Sequence, residues 1–280
     1  MKKLLIYVFI LLAGVIVKPC IARCQPPGNG YEYLKSLPKH LELKEQTPQK
    51  YVMLVEYFNK DIYGNLISKM KVRGDYTRGL DSGYVCWNNA FISHANNSSG
   101  PYQPEVKQDY MEGIKYIPSS KLMEESFFSS FPDNPDNVLA RNLMWDMMMI
   151  EGFAWNYFDS LDQNKTYEIP EIHGAFSMAN IGSYNHSKIE LNWIGVSVMN
   201  GQLCAVLEYR ALDNKIELQM SQMKSKGSEL YWGKTWVSLV TKQIEFAEIF
   251  SNTIQEIEMQ GMPQKMLFST KRIVTLNRIK

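Results

Sequence analysis

The chain has 280 residues, 45% hydrophobic and 21% charged, with 30 basic against 29 acidic side chains. That composition belongs to a folded protein long enough to bury a sizeable core, and it excludes an intrinsically disordered chain. The near-neutral balance leaves no basic field for a nucleic-acid backbone, so no nucleic-acid partner is expected.

Lys2 and Lys3 precede an apolar run over 4–17, which Lys18 and Pro19 close. The run is shorter than the roughly 20 apolar residues that span a bilayer and has the form of a secretory signal peptide. Export to the periplasm, cell envelope or extracellular space is therefore expected. Ala22 and Cys24 are the small residues before a cut that leaves Gln25 as the new terminus. A lipidated Cys24 is the rival, since Ile21 and Ala22 precede it, but Arg23 stands where a small residue belongs. Cys20, after Lys18 and Pro19, fits worse, and soluble export is preferred. Lys2, Lys3, Lys18 and Arg23 leave with residues 1–24, so the remaining 256 residues carry 26 basic and 29 acidic side chains, a net charge of −3. No transmembrane span is expected in them. Cys86 and Cys204 then remain, both in strand-like apolar segments, as one disulfide or, preferably, two buried free thiols.

Residues 25–49, with Pro26, Pro27, Gly28 and Gly30, read as an exposed lead-in. A single α+β domain is expected over 50–280, with a helical insert at about 105–165. Two β-rich runs, 51–58 and 66–76, flank Asp61-Ile62-Tyr63-Gly64-Asn65 and predict a hairpin. A third run, 84–93, is placed beside it. Five prolines interrupt 94–137, where 121–128 reads as a short helix. The stretch 138–161 predicts the one long helix, with Asp136 or Asn137 as N-cap. Leu139, Leu143, Met147, Ile150, Ala154, Tyr157, Phe158 and Leu161 recur at helical spacing and form a core face. Met144, Trp145, Met148, Met149 and Trp155 make a second apolar surface.

From about residue 188 the pattern is β to the end. A parity switch near Gly195 predicts a bulge, because side chains alternate faces strictly along a strand. Asn200-Gly201 is a strong hairpin turn, leading into 202–210. Further runs follow at 215–220, 234–241, 244–250, 253–259 and 266–276. Their short connections favour antiparallel neighbours. The expected fold is α+β, a curved and mostly antiparallel sheet of about eight to ten strands packed on an insert with one Met-rich helix. The order of elements, three strands, a helical insert and a long meander, resembles the periplasmic lipoprotein-carrier superfamily. That resemblance implies a half-barrel sheet wrapped around helices that close an apolar cavity, a lipid or acyl ligand, and no catalytic residues to carry over.

No phosphate-cradling glycine loop, nucleophile elbow or His-Glu-x-x-His pair occurs, and no cofactor is expected. His173 and His186, with Glu168, Glu171 and Glu190 near them in sequence, are the weak metal candidates; their spacing matches no ligand template, and solvated loop is the preferred reading. Asp159, Asp162 and Asn164 lack the glycine and closing glutamate of a calcium loop. Asn-x-Ser/Thr tripeptides at Asn96, Asn97, Asn164 and Asn185 read as plain loop residues. Tyr31, Tyr33, Tyr51, Tyr57, Tyr63 and Tyr76 are taken as cross-strand pairs and core rather than a sugar-stacking surface. A helix apolar on nearly all sides must be buried all round or line a cavity. The leading expectation is a non-catalytic exported protein that binds an apolar small molecule or a protein partner, with Met144, Met148 and Trp155 as ligand-lining candidates. An envelope or extracellular interaction module and a hydrolase of envelope or extracellular polymers are the alternatives.

Overall fold

The computed structural model describes residues 48–279 except 96, 98–99, 133–134, 171–173, 179–180 and 221. The leader, Cys24, Gln25, most of the lead-in and His173 lie outside the described residues. Strand β1 (Gln49–Lys60) alternates strictly: Tyr51, Met53, Val55 and Tyr57 are buried, and the residues between them are half-buried. Period-2 alternation of this kind fixes which face turns inward. β1 pairs with β2 (Leu66–Arg78), with a register shift between Asn59 and Lys60, through the expected turn, where Asp61 Oδ1 accepts from the amides of Tyr63 and Asn65 at 2.9 Å each. β3 (Val85–Ala95) adds to β2, and two short strands, β4 (Val106–Lys107) and β5 (Ile114–Tyr116), pair with β3.

After two 3-10 turns at Ser120–Met123 and Glu125–Phe128, where one short helix is expected from sequence, the chain enters helix α1 (Pro135–Glu151). Proline suits the first helical position because its missing N–H would have no partner there. Asp136 and Asn137 accordingly lie inside the first turn rather than at the cap; the Asn137 amide donates to the Pro132 carbonyl at 2.7 Å and its oxygen accepts from Arg141 Nε at 2.6 Å. The α-helix also ends ten residues before the expected 161. It opens into a π turn over Gly152–Asn156, followed by a 3-10 turn over Phe158–Ser160. Gly152 is the weak helix former at which the hydrogen-bonding pattern changes.

The remaining strands are β6 (Thr166–Glu168), β7 (Gly174–Ser177), β8 (Gly182–His186), β9 (Glu190–Met199), β10 (Gln202–Met220), β11 (Met223–Ser238), β12 (Ile244–Met259) and β13 (Met266–Ile279). All thirteen form one open, curved sheet whose named pairings are antiparallel, in the order β4-β3-β2-β1-β13-β12-β11-β10-β8-β7, with β9 also on β10 and β6 on β9. The strand number exceeds the expected eight to ten because short edge strands carry no periodicity to read. The runs 202–210 and 215–220 are one strand, β10, which passes a bulge between Ala211 and Asn214. Likewise 244–250 and 253–259 are one strand, β12, because Ser251 and Asn252 continue the ladder.

Ile194 is the extra residue of the bulge near Gly195, since Gly195 pairs with Val206 and Trp193 with Leu207. Asn200 (φ 53°) and Gly201 (φ 75°) both sit at positive φ, as a type I′ turn requires. A Cβ on Gly201 would meet nothing within 4 Å, so backbone strain alone opposes a side chain. Gly201→Val is expected to cost about 1 kcal/mol or more, seen as a lower denaturation midpoint at unchanged slope; an unchanged midpoint would show the turn misread.

The core lies where α1 crosses the inner sheet face. Ala140, Leu143, Met144, Met147 and Ile150 are all essentially inaccessible. The approach to β2 is close: a Cβ on Gly74 would come within 3.1 Å of Leu143 Cδ1 and 3.2 Å of Trp87. Each fully buried Leu, Ile or Met contributes about 1.5–3 kcal/mol. Tyr51 and Tyr76 are core, as expected, whereas Tyr63 is exposed at the hairpin tip.

Candidate functional site

Strand register carries the inner face from apolar to polar in four steps. The first rank, Met53, Leu276, Ala247 and Thr235, and the second, Val55, Val274, Ile249 and Gly233, lie side by side on β1, β13, β12 and β11. Two residues further on comes Tyr57, Arg272, Ser251 and Tyr231, and then Asn59, Thr270, Thr253 and Glu229. The parity is unbroken, so these polar groups point to the same side as the core. Helix α1 reaches the third rank, through Asn142 to Tyr57 and Asp146 to Arg272. Over the polar ranks a cavity of about 1130 Å³ opens between the sheet and the helix.

One wall of that cavity is the helix face Val138, Asn142, Trp145 and Met149, whose 4-3-4 spacing places them on one side. Apolar lining also comes from Phe176 on β7, Ile216, Leu218 and Met220 on β10, and Met223 on β11. Met148 and Trp155 also line the cavity. Met144 does not: at 0% exposure it is core, because it stands only about 60° around the helix from Met147. That corrects its expected place on the lining surface. Leu139, expected on the core face, lies instead against the cavity. Trp155 is held twice, its Nε1 donating to the Lys242 carbonyl at 3.0 Å and its ring lying 4.0 Å from the Arg78 guanidinium.

The polar band is densely connected. Arg272 forms an ion pair with Asp146 of α1, which is only 4% exposed. Burial pushes the Asp146 carboxyl above the ordinary carboxylate range against the pull of Arg272. Asn142 donates to Tyr57 Oη at 3.0 Å. Arg78 meets Glu151 at 2.6 Å, and Tyr76 donates to the same carboxylate at 2.8 Å. His94 lies 3.2 Å from Asp136. At the far side Tyr184 donates to Glu229, Thr253 Oγ1 reaches the same carboxylate at 3.4 Å, and His186 Nδ1 lies 2.9 Å from Asn214 Oδ1. Burial lowers the His186 pKa, against the opposing effects of Asn214 and Glu229. Tyr231 Oη and Ser251 Oγ are buried without a hydrogen-bond partner among the described residues.

His186 is thus engaged with Asn214, and Glu168 and Glu190 share Lys188 at 3.4 and 2.7 Å rather than converging on it. Among the described residues no group of three His, Cys, Asp or Glu side chains is placed to hold a metal ion. Cys86 on β3 and Cys204 on β10 are both buried free thiols. Burial pushes the Cys204 thiol up to about 12. Arg272, Glu229, Ser251 and Thr253 are missing from the sequence-based site. The sign that would have found them is a polar residue at the apolar parity of a β run, as Ser251 and Thr253 stand in line with Ala247 and Ile249.

No protein-family model and no curated protein matches the chain. Among solved structures it is similar to lipovitellin, in a study of lipid–protein interactions, with a TM-score of 0.44 and 12% identity over 85% of this chain. The chain spans about a quarter, 26%, of that protein's length. It is also similar to a DUF1329 family protein from Desulfovibrio piger, with a TM-score of 0.14 and 9% identity over 83% of this chain and 85% of the other. Among the described residues no helix is long and apolar enough to cross a membrane.

Proposed function

We propose that the protein binds an apolar ligand, a lipid or other acyl-chain molecule, in the cavity between α1 and the inner sheet face, without a catalytic step. The cavity carries the reading: about 1130 Å³ is at or above the roughly 300–1,000 Å³ of most ligand sites. Its lining includes Met, Leu, Ile, Phe and Trp side chains, and many of the charged groups among them are already paired, Arg78 with Glu151 and Arg272 with Asp146. Methionine suits a pocket that must fit chains of varied shape, because its unbranched thioether side chain repacks readily. The lysine-led apolar run at 2–17 supports placing this binder outside the cytoplasm, with Gln25 proposed as the first residue after cleavage.

A neutral-headed fluorescent acyl probe titrated into the folded protein is expected to give saturable uptake with a rise in emission as it leaves water. Absence of uptake below the concentration at which the probe self-associates would overturn the reading. A second reading, an interaction module, draws on Leu230 and Ile254, exposed diagonal neighbours on the outer sheet face, since exposed apolar patches mark contact surfaces.

A further inference from the structure

The acids and bases lining the cavity do not balance. Among the described lining residues Asp136, Asp146, Glu151 and Glu229 face two arginines, Arg78 and Arg272, and two histidines, His94 and His186, of which His186 is bonded to Asn214 and driven toward its neutral form by burial, and there is no lysine. Both arginines are already committed, Arg78 to Glu151 and Arg272 to Asp146, and Asp136 has His94. Glu229 is different. It is only 8% exposed, yet its two contacts are the hydroxyls of Tyr184 and Thr253, and no cation of the described residues pairs with it.

A carboxyl so nearly buried normally has a charged partner, since leaving one unpaired costs several kcal/mol. Nearby, the buried hydroxyls of Ser251 and Tyr231 have no hydrogen-bond partner among the described residues. Ser251 pairs across the sheet with Tyr231, and Thr253 with Glu229, so these side chains stand in adjacent ranks on the cavity floor. Building on the apolar-ligand reading, we propose that this cluster is a headgroup site. It takes an amphiphile whose head donates hydrogen bonds and carries no negative charge, and it prefers an amine to a carboxylate or phosphate. An ammonium would supply the counter-charge that Glu229 lacks, and a hydroxyl head would engage the same acceptors more weakly. An anionic head would meet Glu229 as a like charge in a poorly solvated site, with the arginines neutralised by their own carboxylates.

Dodecylamine, a monododecanoyl glycerol and dodecanoic acid, each kept below micelle formation, separate the head from the chain in competition against the neutral acyl probe. The wild-type protein is expected to bind the amine tightest and the acid weakest, with about tenfold or more between them. Glu229→Gln, which keeps size and hydrogen bonding, is expected to shrink that ratio about tenfold. Dodecanoic acid binding as tightly as the amine, or an unchanged ratio in a folded Glu229→Gln protein, would overturn the headgroup assignment and leave the apolar cavity standing. Failure of all three amphiphiles and the probe would overturn both. The wild-type order needs no variant, so it decides the matter even if Glu229→Gln does not fold.

Discussion

Replacing Asp146 with leucine is expected to destabilise the protein by about 3–5 kcal/mol, the range for breaking one side of a buried ion pair. Asp146 comes from the middle of α1 and Arg272 from β13, so their pair ties the helix to the sheet. Arg272 Nε and Nη2 are buried without other good acceptors among the described residues, and a guanidinium cannot shed its charge to escape the loss. Replacing both, Asp146→Leu with Arg272→Met, is expected to recover most of the stability, because an apolar pair of similar volume avoids desolvating two ions. Urea denaturation of both variants and wild type makes the comparison. A single-variant cost below about 1 kcal/mol would show that water reaches the pair and that α1 is not seated as described.

Truncating the buried face of α1 is expected to be nearly as severe. Leu143→Ala should cost about 2–5 kcal/mol, because Leu143 is inaccessible and packs close to Gly74. Met144→Ala belongs in the same group, since its side chain is equally buried. The cavity face should behave otherwise. Met148 and Met149 are half-buried against the cavity, so Met148→Gln or Met149→Gln should cost under about 1 kcal/mol and abolish uptake of the acyl probe. Equal intolerance on both faces, read from thermal or urea midpoints, would mean that the helix is packed all round and that the cavity has no ligand.

Much of the architecture was legible because it depends on local periodicity. The β1–β2 hairpin, the Ile194 bulge, the Asn200-Gly201 turn and the antiparallel meander follow from alternation and turn chemistry, which operate over a few residues. The helix was legible as an apolar stretch, but its two faces were not cleanly separable. Where nearly every position is apolar, hydrophobicity no longer marks the side that turns to the core, and Met144 and Leu139 fell on the wrong surfaces. The strand count was low because two- and five-residue strands such as β4 and β8 acquire their identity from their neighbours in the ladder.

Sequence by itself determined the α+β class, the Met-rich helix, the positions of the tight turns and the alternation that decides which residues of a strand share a face. Tertiary structure alone decided that β1 pairs with β13, closing a separation of more than two hundred residues. That pairing sets Tyr57 beside Arg272, at the end of the rank that Ser251 and Tyr231 continue on β12 and β11. The physical reason is that the identity of a strand's neighbour depends on competition among all long-range pairings and on loop-closure entropy, which leave no mark in any local window. The polar floor of the cavity exists only once those ranks are aligned.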